Sequence, residues 1–152
     1  MRIWVDADAC PNPIKEILFR AADRRGVETT LVANHQIRVP ASRYLKSLQV
    51  PSGFDEADDA IVARVGSGDL VITADIPLAG QIVEAGGTAL NPRGTLYTAD
   101  NIKDHLARRD LMDELRSTGA IVGGPATLSK TDVQEFANQL DRYLTRAANK
   151  PR

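Results

Sequence analysis

The chain has 152 residues, 43% hydrophobic and 26% charged, the balance of an ordinary globular protein long enough to bury a core without staples. A formal net charge of -1 excludes a global basic field drawing it onto nucleic acid, so any phosphate contact must be local. One cysteine, Cys10, excludes an internal disulfide and a Cys-rich zinc site, and no apolar run approaches the roughly 20 residues of a membrane helix.

The run Arg2-Ile3-Trp4-Val5-Asp6-Ala7-Asp8-Ala9-Cys10-Pro11 enters a strand at once. No signal-peptide pattern precedes it, so a cytoplasmic protein is expected. Ile3, Trp4 and Val5 read as a short buried strand, with Asp6 and Asp8 at its carboxyl end. In open α/β sheets, ligands bind at that edge. Pro11 opens a helix, where its missing N–H is harmless. Cys10 reads as a small core residue. The adjacent carboxylates would raise its pKa, which argues against a nucleophilic thiolate.

Ile14, Ile17, Leu18 and Ala21 form one helical face, and Gly26 closes the helix. Residues 27–33 read as a second strand, which completes a βαβ unit. Residues 34–51 read as irregular, with apolar pieces at Ile37-Arg38-Val39 and Leu48-Gln49-Val50. Asn34 and His35 follow the second strand. Arg38 and Arg43 flank Pro40; they read either as solvated surface charge or as a phosphate clamp.

After Gly53, Asp55, Glu56, Asp58 and Asp59 crowd the first turn of a helix running to about Gly66. Acidic residues suit that end of a helix dipole. Asp58 differs, because Ile61, Val62 and Val65 lie at +3, +4 and +7 from it. It therefore shares the core-facing stripe, where a carboxylate needs a partner or a metal. Asp59 points outward. Leu70-Val71-Ile72-Thr73 reads as a central parallel strand, with Asp75 at its carboxyl end. A helix from Ile76 to about Gly86, a strand at 88–90 and the turn Asn91-Pro92-Arg93-Gly94 follow. Thr98 is expected to cap a helix carrying Ile102 and Leu106, with a break or bend near Arg108-Arg109-Asp110. Gly123-Gly124-Pro125 reads as a plain turn or as a phosphate-approaching loop. Ser129 with Asp132 forms a capping box for an amphipathic helix carrying Val133, Phe136, Leu140 and Leu144.

Asp6, Asp8, Asp58 and Asp75 come from three separated elements. If the two strands are neighbours, these carboxylates converge. Clustered anions bind protons or a cation, and hard oxygen ligands select Mg²⁺ or Mn²⁺. The reaction class that follows is metal-assisted hydrolysis of a phosphodiester by an activated water.

The runs Trp4-Val5-Asp6-Ala7-Asp8-Ala9-Cys10-Pro11, Arg38-Val39-Pro40 with Arg43, Ala57-Asp58, Gly68-Asp69-Leu70-Val71-Ile72-Thr73-Ala74-Asp75, Asn91-Pro92-Arg93-Gly94 and Gly123-Gly124-Pro125 resemble the YaiI/YqxD family of bacterial proteins. The resemblance covers nearly the whole chain. That family is similar in fold to PIN-domain nucleases. The resemblance implies a PIN-like three-layer α/β/α sandwich over residues 1–148, with a mainly parallel sheet in the order 3-2-1-4-5. Residues 149–152 are expected to be a frayed tail. It also implies an acidic cluster that holds Mg²⁺ or Mn²⁺ and cleaves RNA or DNA, and a homodimer. Asp6 matches the PIN aspartate after the first strand, and Asp75 the one in the Thr-x-Asp motif. Asp58 falls near a mid-chain acidic position that is usually glutamate. Asp8 belongs to the narrower family's signature. Catalysis is thus expected from Asp6, Asp58 and Asp75, and metal binding from these with Asp8. Arg38, Arg43 and Arg93 are the candidate phosphate contacts, and Asn34, Thr73 and Asn91 the supporting residues.

Two other readings stay open. One is a non-catalytic RNA or nucleotide binder that keeps the acidic pocket. The other is a haloacid-dehalogenase-like phosphatase with Asp6 as nucleophile and Asp8 as acid/base partner. The tail Ala9-Cys10-Pro11 departs from that superfamily's motif. Its lysine would have to be Lys46, in an irregular loop, or Lys103, in a late helix, and neither fits well.

Overall fold

The computed structural model describes residues 1–122 and 127–149. The loop Gly123-Gly124-Pro125 and residues 150–152 of the expected tail lie outside the described residues; Asn149 ends the last helix. All of β1 (Ile3–Asp6) is buried, and successive strand side chains point to opposite faces. Ile3 and Val5 pack with Leu18, Leu31, Ile72 and Phe136. Trp4 packs on the opposite face with Val32, Ile61, Val71 and Ile82. A strand apolar on both faces belongs in the middle of a parallel sheet covered by helices on each side.

That sheet contains β1, β2 (Thr29–Ala33), β3 (Leu45–Gln49), β4 (Leu70–Ile72), β5 (Thr88–Leu90) and β6 (Leu96–Tyr97). Its order is β3-β2-β1-β4-β5-β6. The first five strands run parallel, and β6 joins the edge antiparallel to β5. Helices α1 (Asn12–Arg25) and α5 (Lys130–Asn149) cover one face. Helices α2 (Glu56–Arg64) and α3 (Ile76–Glu84) cover the other. Helix α4 (Ile102–Ser117) packs outside α3 through Ala79, Ile102 and Leu106. The strand order is that implied by the resemblance, extended by β6, and is consistent with a PIN-like sandwich.

Two glycines set the chain's turns. Gly26 caps α1 in the left-handed region at φ 63. Gly94, at φ 96, lets its turn lie on α5, where a Cβ would come within 2.7 Å of the Glu135 Cβ. The capping box is formed as expected: the Asp132 amide donates to the Ser129 hydroxyl, and the Ser129 amide to the Asp132 carboxylate, each at 3.0 Å.

Three expectations are corrected. The 34–51 region is not irregular throughout, because residues 45–49 form β3. It is an edge strand in which Leu45 alone is fully buried and Lys46, Ser47 and Gln49 are exposed, so it lacks the apolar run of a central strand. Helix α4 does not break near Arg108-Arg109-Asp110. Its outer half leaves the core, where no packing partner imposes an apolar register. Ion pairs from Arg109 and Arg116 to Asp113 span consecutive turns there. Finally, Thr98 is not the cap of α4. Asn101 takes that position, and the Thr98 carbonyl accepts the Ile102 N–H at 2.9 Å.

Candidate functional site

Strands β1 and β4 are neighbours, with Val5 opposite Ile72, so their carboxyl ends open side by side. Asp6 ends β1 and is buried. Thr73, just past β4, donates its hydroxyl proton to Asp6 Oδ2 at 2.9 Å. The same hydroxyl oxygen accepts the Asp75 backbone N–H at 3.0 Å. Asp75 is the N-cap of α3, and its Oδ1 accepts the Leu78 N–H at 3.0 Å. Thr73, expected as a supporting residue, thus holds both aspartates.

The first turn of α2 brings in the third carboxylate. Asp58 is half-buried while Asp59 is exposed, and Ile61 one turn on is fully buried. This is the face assignment expected from the +3, +4, +7 spacing. Burial, then repulsion from Asp75, Asp6 and Asp55, then a hydrogen bond to Asp75, push the Asp58 carboxyl up to about 6. Burial also raises Asp6; the Thr73 hydrogen bond opposes the rise, and repulsion from Asp75 and Asp8 adds to it. Asp6, Asp58 and Asp75 therefore share one electrostatic site.

Among the described residues, no set of three or more His, Cys, Asp or Glu side chains closes into a ready-made metal cage. Mg²⁺ and Mn²⁺ do not require one. Mg²⁺ is held by one or two carboxylates and fills its other positions with water and substrate phosphate. Carboxylate oxygens that repel one another are donors of the right hardness for such an ion.

Asp8 sits in a single 3-10 turn, Ala7–Ala9, and serves a different contact. Its Oδ2 accepts the Asn34 N–H at 3.1 Å, and His35 Nδ1 lies 3.1 Å from its Oδ1. It ties the end of β1 to the end of β2 and touches the acidic site only through repulsion of Asp6. Asn34 and His35 are thus rim residues attached to Asp8.

The arginines do not gather at this site. Arg38 is exposed in the 34–44 loop. Arg43 lies over the Tyr44 ring, 5.4 Å from its centroid. Leu45, two residues on, pairs with Thr29 at the start of β2, so Arg43 is at the opposite end of the strands. Arg93 is on the correct edge, but its Nη1 pairs with Asp132 at 2.7 Å. Asn91 shapes its own turn: its Oδ1 accepts the Arg93 amide, and its Nδ2 donates to Tyr97 Oη. Cys10 is a buried core residue, with its thiol pushed up to about 12. Burial is the main cause and Asp6 a minor one, so the weight given to adjacent carboxylates is corrected.

A groove of about 930 Å³ runs from Asp58 and Asp75 along α3 to α4. Leu78, Ile102 and Leu106 give it an apolar lining, Lys103 and Arg109 stand on its α4 side, and Phe54 stands at its rim. Sequence reasoning missed Phe54 and set Lys103 aside. The only local signal was an aromatic side chain inside the polar stretch Ser52-Gly53-Phe54-Asp55-Glu56.

Fold and site together define an α/β protein with an acidic pocket at the carboxyl ends of neighbouring parallel strands. The family description "Uncharacterized BCR, YaiI/YqxD family" matches residues 4–146, and the chain belongs to that family. A UPF0178 protein of Shewanella sediminis is 62% identical over 146 residues, 96% of this chain and 97% of the relative. One from a Janthinobacterium species is 61% identical over 150 residues, 99% of each chain. One from Halorhodospira halophila is 64% identical over 146 residues, 96% of this chain and 97% of the relative. No solved structure matches the chain. No helix among the described residues is long and apolar enough to cross a membrane.

Proposed function

We propose that this protein is a divalent-metal-dependent phosphodiesterase that hydrolyses RNA, with Mg²⁺ or Mn²⁺ held by Asp6, Asp58 and Asp75. The observation that carries the reading is the convergence of carboxylates from three elements at one sheet edge: Asp6 ending β1, Asp75 just past the neighbouring β4 and tied to Asp6 through Thr73, and Asp58 in the first turn of α2. Burial and that crowding push the Asp58 carboxyl up to about 6. A proton relieves that crowding below this pH, and a cation relieves it above. When bound, the ion supplies charge neutralisation at the phosphate and activation of water for attack.

The chain's own groups have distinct tasks. Thr73 fixes one oxygen of Asp6, and the Leu78 amide fixes one oxygen of Asp75. Each of these aspartates keeps its other oxygen outside those bonds. Asp58 would have to be deprotonated to hold a cation, so binding would tighten as pH rises through about 6. A phosphatase with Asp6 as nucleophile is the weaker reading. Asp8 is turned to Asn34 and His35, and Lys46 is held by Glu28 at 2.8 Å.

The test is cleavage of end-labelled single-stranded RNA in Mn²⁺. Asp6→Asn and Asp75→Asn abolish cleavage while both variants stay folded, and chelator abolishes it in the wild type. Full activity in chelator, or in both variants, overturns the proposal. A covalent aspartyl phosphate trapped at Asp6 would move the reading to the phosphatase.

A further inference from the structure

Phe54 is 94% exposed, although a phenylalanine buries more apolar area than almost any other side chain when it is placed inside. Asp55 adopts φ 62, the only positive φ of a non-glycine residue among the described residues. The ring stands at the rim of the groove that holds Asp58 and Asp75. Lys103, on the α4 side of the same groove, is exposed and makes no ion pair among the described residues. Arg109, by contrast, is engaged by Asp110 and Asp113.

We propose that Phe54 is a stacking platform for one base of single-stranded RNA, and that Lys103 takes a neighbouring backbone phosphate. The inference rests on the reading of this groove as the one that handles RNA, and it specifies how the strand is held. Phe54 and Lys103 line one groove whose other charged side chains are mostly carboxylates, Asp55, Asp58, Asp59, Asp75 and Glu84 among them. An exposed π-face and a cation on the same groove suit a nucleotide, because every base offers a face to stack on and every link carries a charge. Bases inside a duplex are already stacked, so the platform selects single strands without selecting sequence. A protein partner fits less well. Protein anchors sit within a desolvated apolar surround, whereas the chain neighbours of Phe54 are the exposed residues Ser52, Gly53, Asp55 and Glu56.

The experiment uses the full chain carrying Phe54→Trp, with a twelve-nucleotide oligouridylate as probe in Mg²⁺. Stopped-flow mixing reads binding before turnover. The natural Trp4 is 6% exposed and packed in the core, so it supplies a constant background. Oligouridylate is expected to quench the introduced indole, while inorganic polyphosphate, which has charge but no bases, leaves its emission unchanged. Phe54→Ala should weaken oligouridylate binding about tenfold, and Lys103→Gln by less, both with unchanged melting temperature. Equal affinity in Phe54→Ala overturns the inference, as does equal quenching by polyphosphate. Loss of a protein oligomer in Phe54→Ala with RNA affinity intact also overturns it, in favour of a protein partner. The two proposals fail separately. Normal Mn²⁺-dependent cleavage with wild-type KM by Phe54→Ala removes the stacking platform and leaves the phosphodiesterase. Quenching of the introduced indole without any cleavage by the wild type removes the catalysis and leaves the platform.

Discussion

Buried aspartates occur at both ends of the central strands, and the two ends treat them differently. At the amino-terminal end, Asp69 is 6% exposed and is met by N–H donors on all sides. The Trp4 indole donates at 3.1 Å, the Arg2 amide at 2.9 Å and the Gly66 amide at 2.8 Å. At the carboxyl end, Asp6 and Asp75 have one donor each, the Thr73 hydroxyl for Asp6 and the Leu78 amide for Asp75. The charges that act there are those of other carboxylates. Donors fix a negative charge as architecture. Their shortage at the other end leaves a field that a proton or a cation must answer.

The comparison breaks most visibly at Asp69. Replacing it by alanine leaves the Trp4 indole N–H without its acceptor and should destabilise the protein by about 3 kcal/mol, measured by denaturant titration. Wild-type stability in that variant would remove the architectural role. Next in size is the response to metal. Mn²⁺ at about 100 times its dissociation constant should stabilise the wild type by about 2.7 kcal/mol through linkage. Asp75→Asn should lose most of this in the same melting experiment.

The pH response is smaller and has a fixed sign. The folded Asp58 carboxyl titrates at about 6, above its ordinary 3.8. The native state therefore holds a proton that the unfolded chain has released, so stability falls as pH rises from about 4 to about 6. Asp58→Asn should flatten that fall and be the more stable protein at neutral pH without metal. A slope unchanged by Asp58→Asn would place the titration elsewhere. The smallest effect belongs to Arg43→Ala. It removes a ring contact worth less than about 1 kcal/mol at the far end of the strands and should leave the proposed RNA cleavage unaltered.

What could be read from the sequence follows the same division. β1 was legible because both of its faces are buried, and Asp6 and Asp75 because they closely follow apolar runs. Asp58 was legible because helical spacing puts it in line with Ile61. β3 was not, since at the sheet edge only Leu45 of its residues needs full burial. Asp8 and Arg43 carry no local mark of which way they turn; that is decided by the loop after β2 and by the register of β3. Phe54 and Lys103 become neighbours of one groove only because α4 folds back onto α3, a long-range fact that no window of sequence contains.

The Thr73 hydroxyl has a single hydrogen, directed at Asp6, and it can receive the Asp75 amide only through its oxygen. The end of the first strand and the start of the third helix are therefore linked in series, like two levers on one pin. A pull on Asp6 is transmitted to the helix whose first turn Asp75 caps. Valine at this position would keep the strand's shape and disconnect the levers.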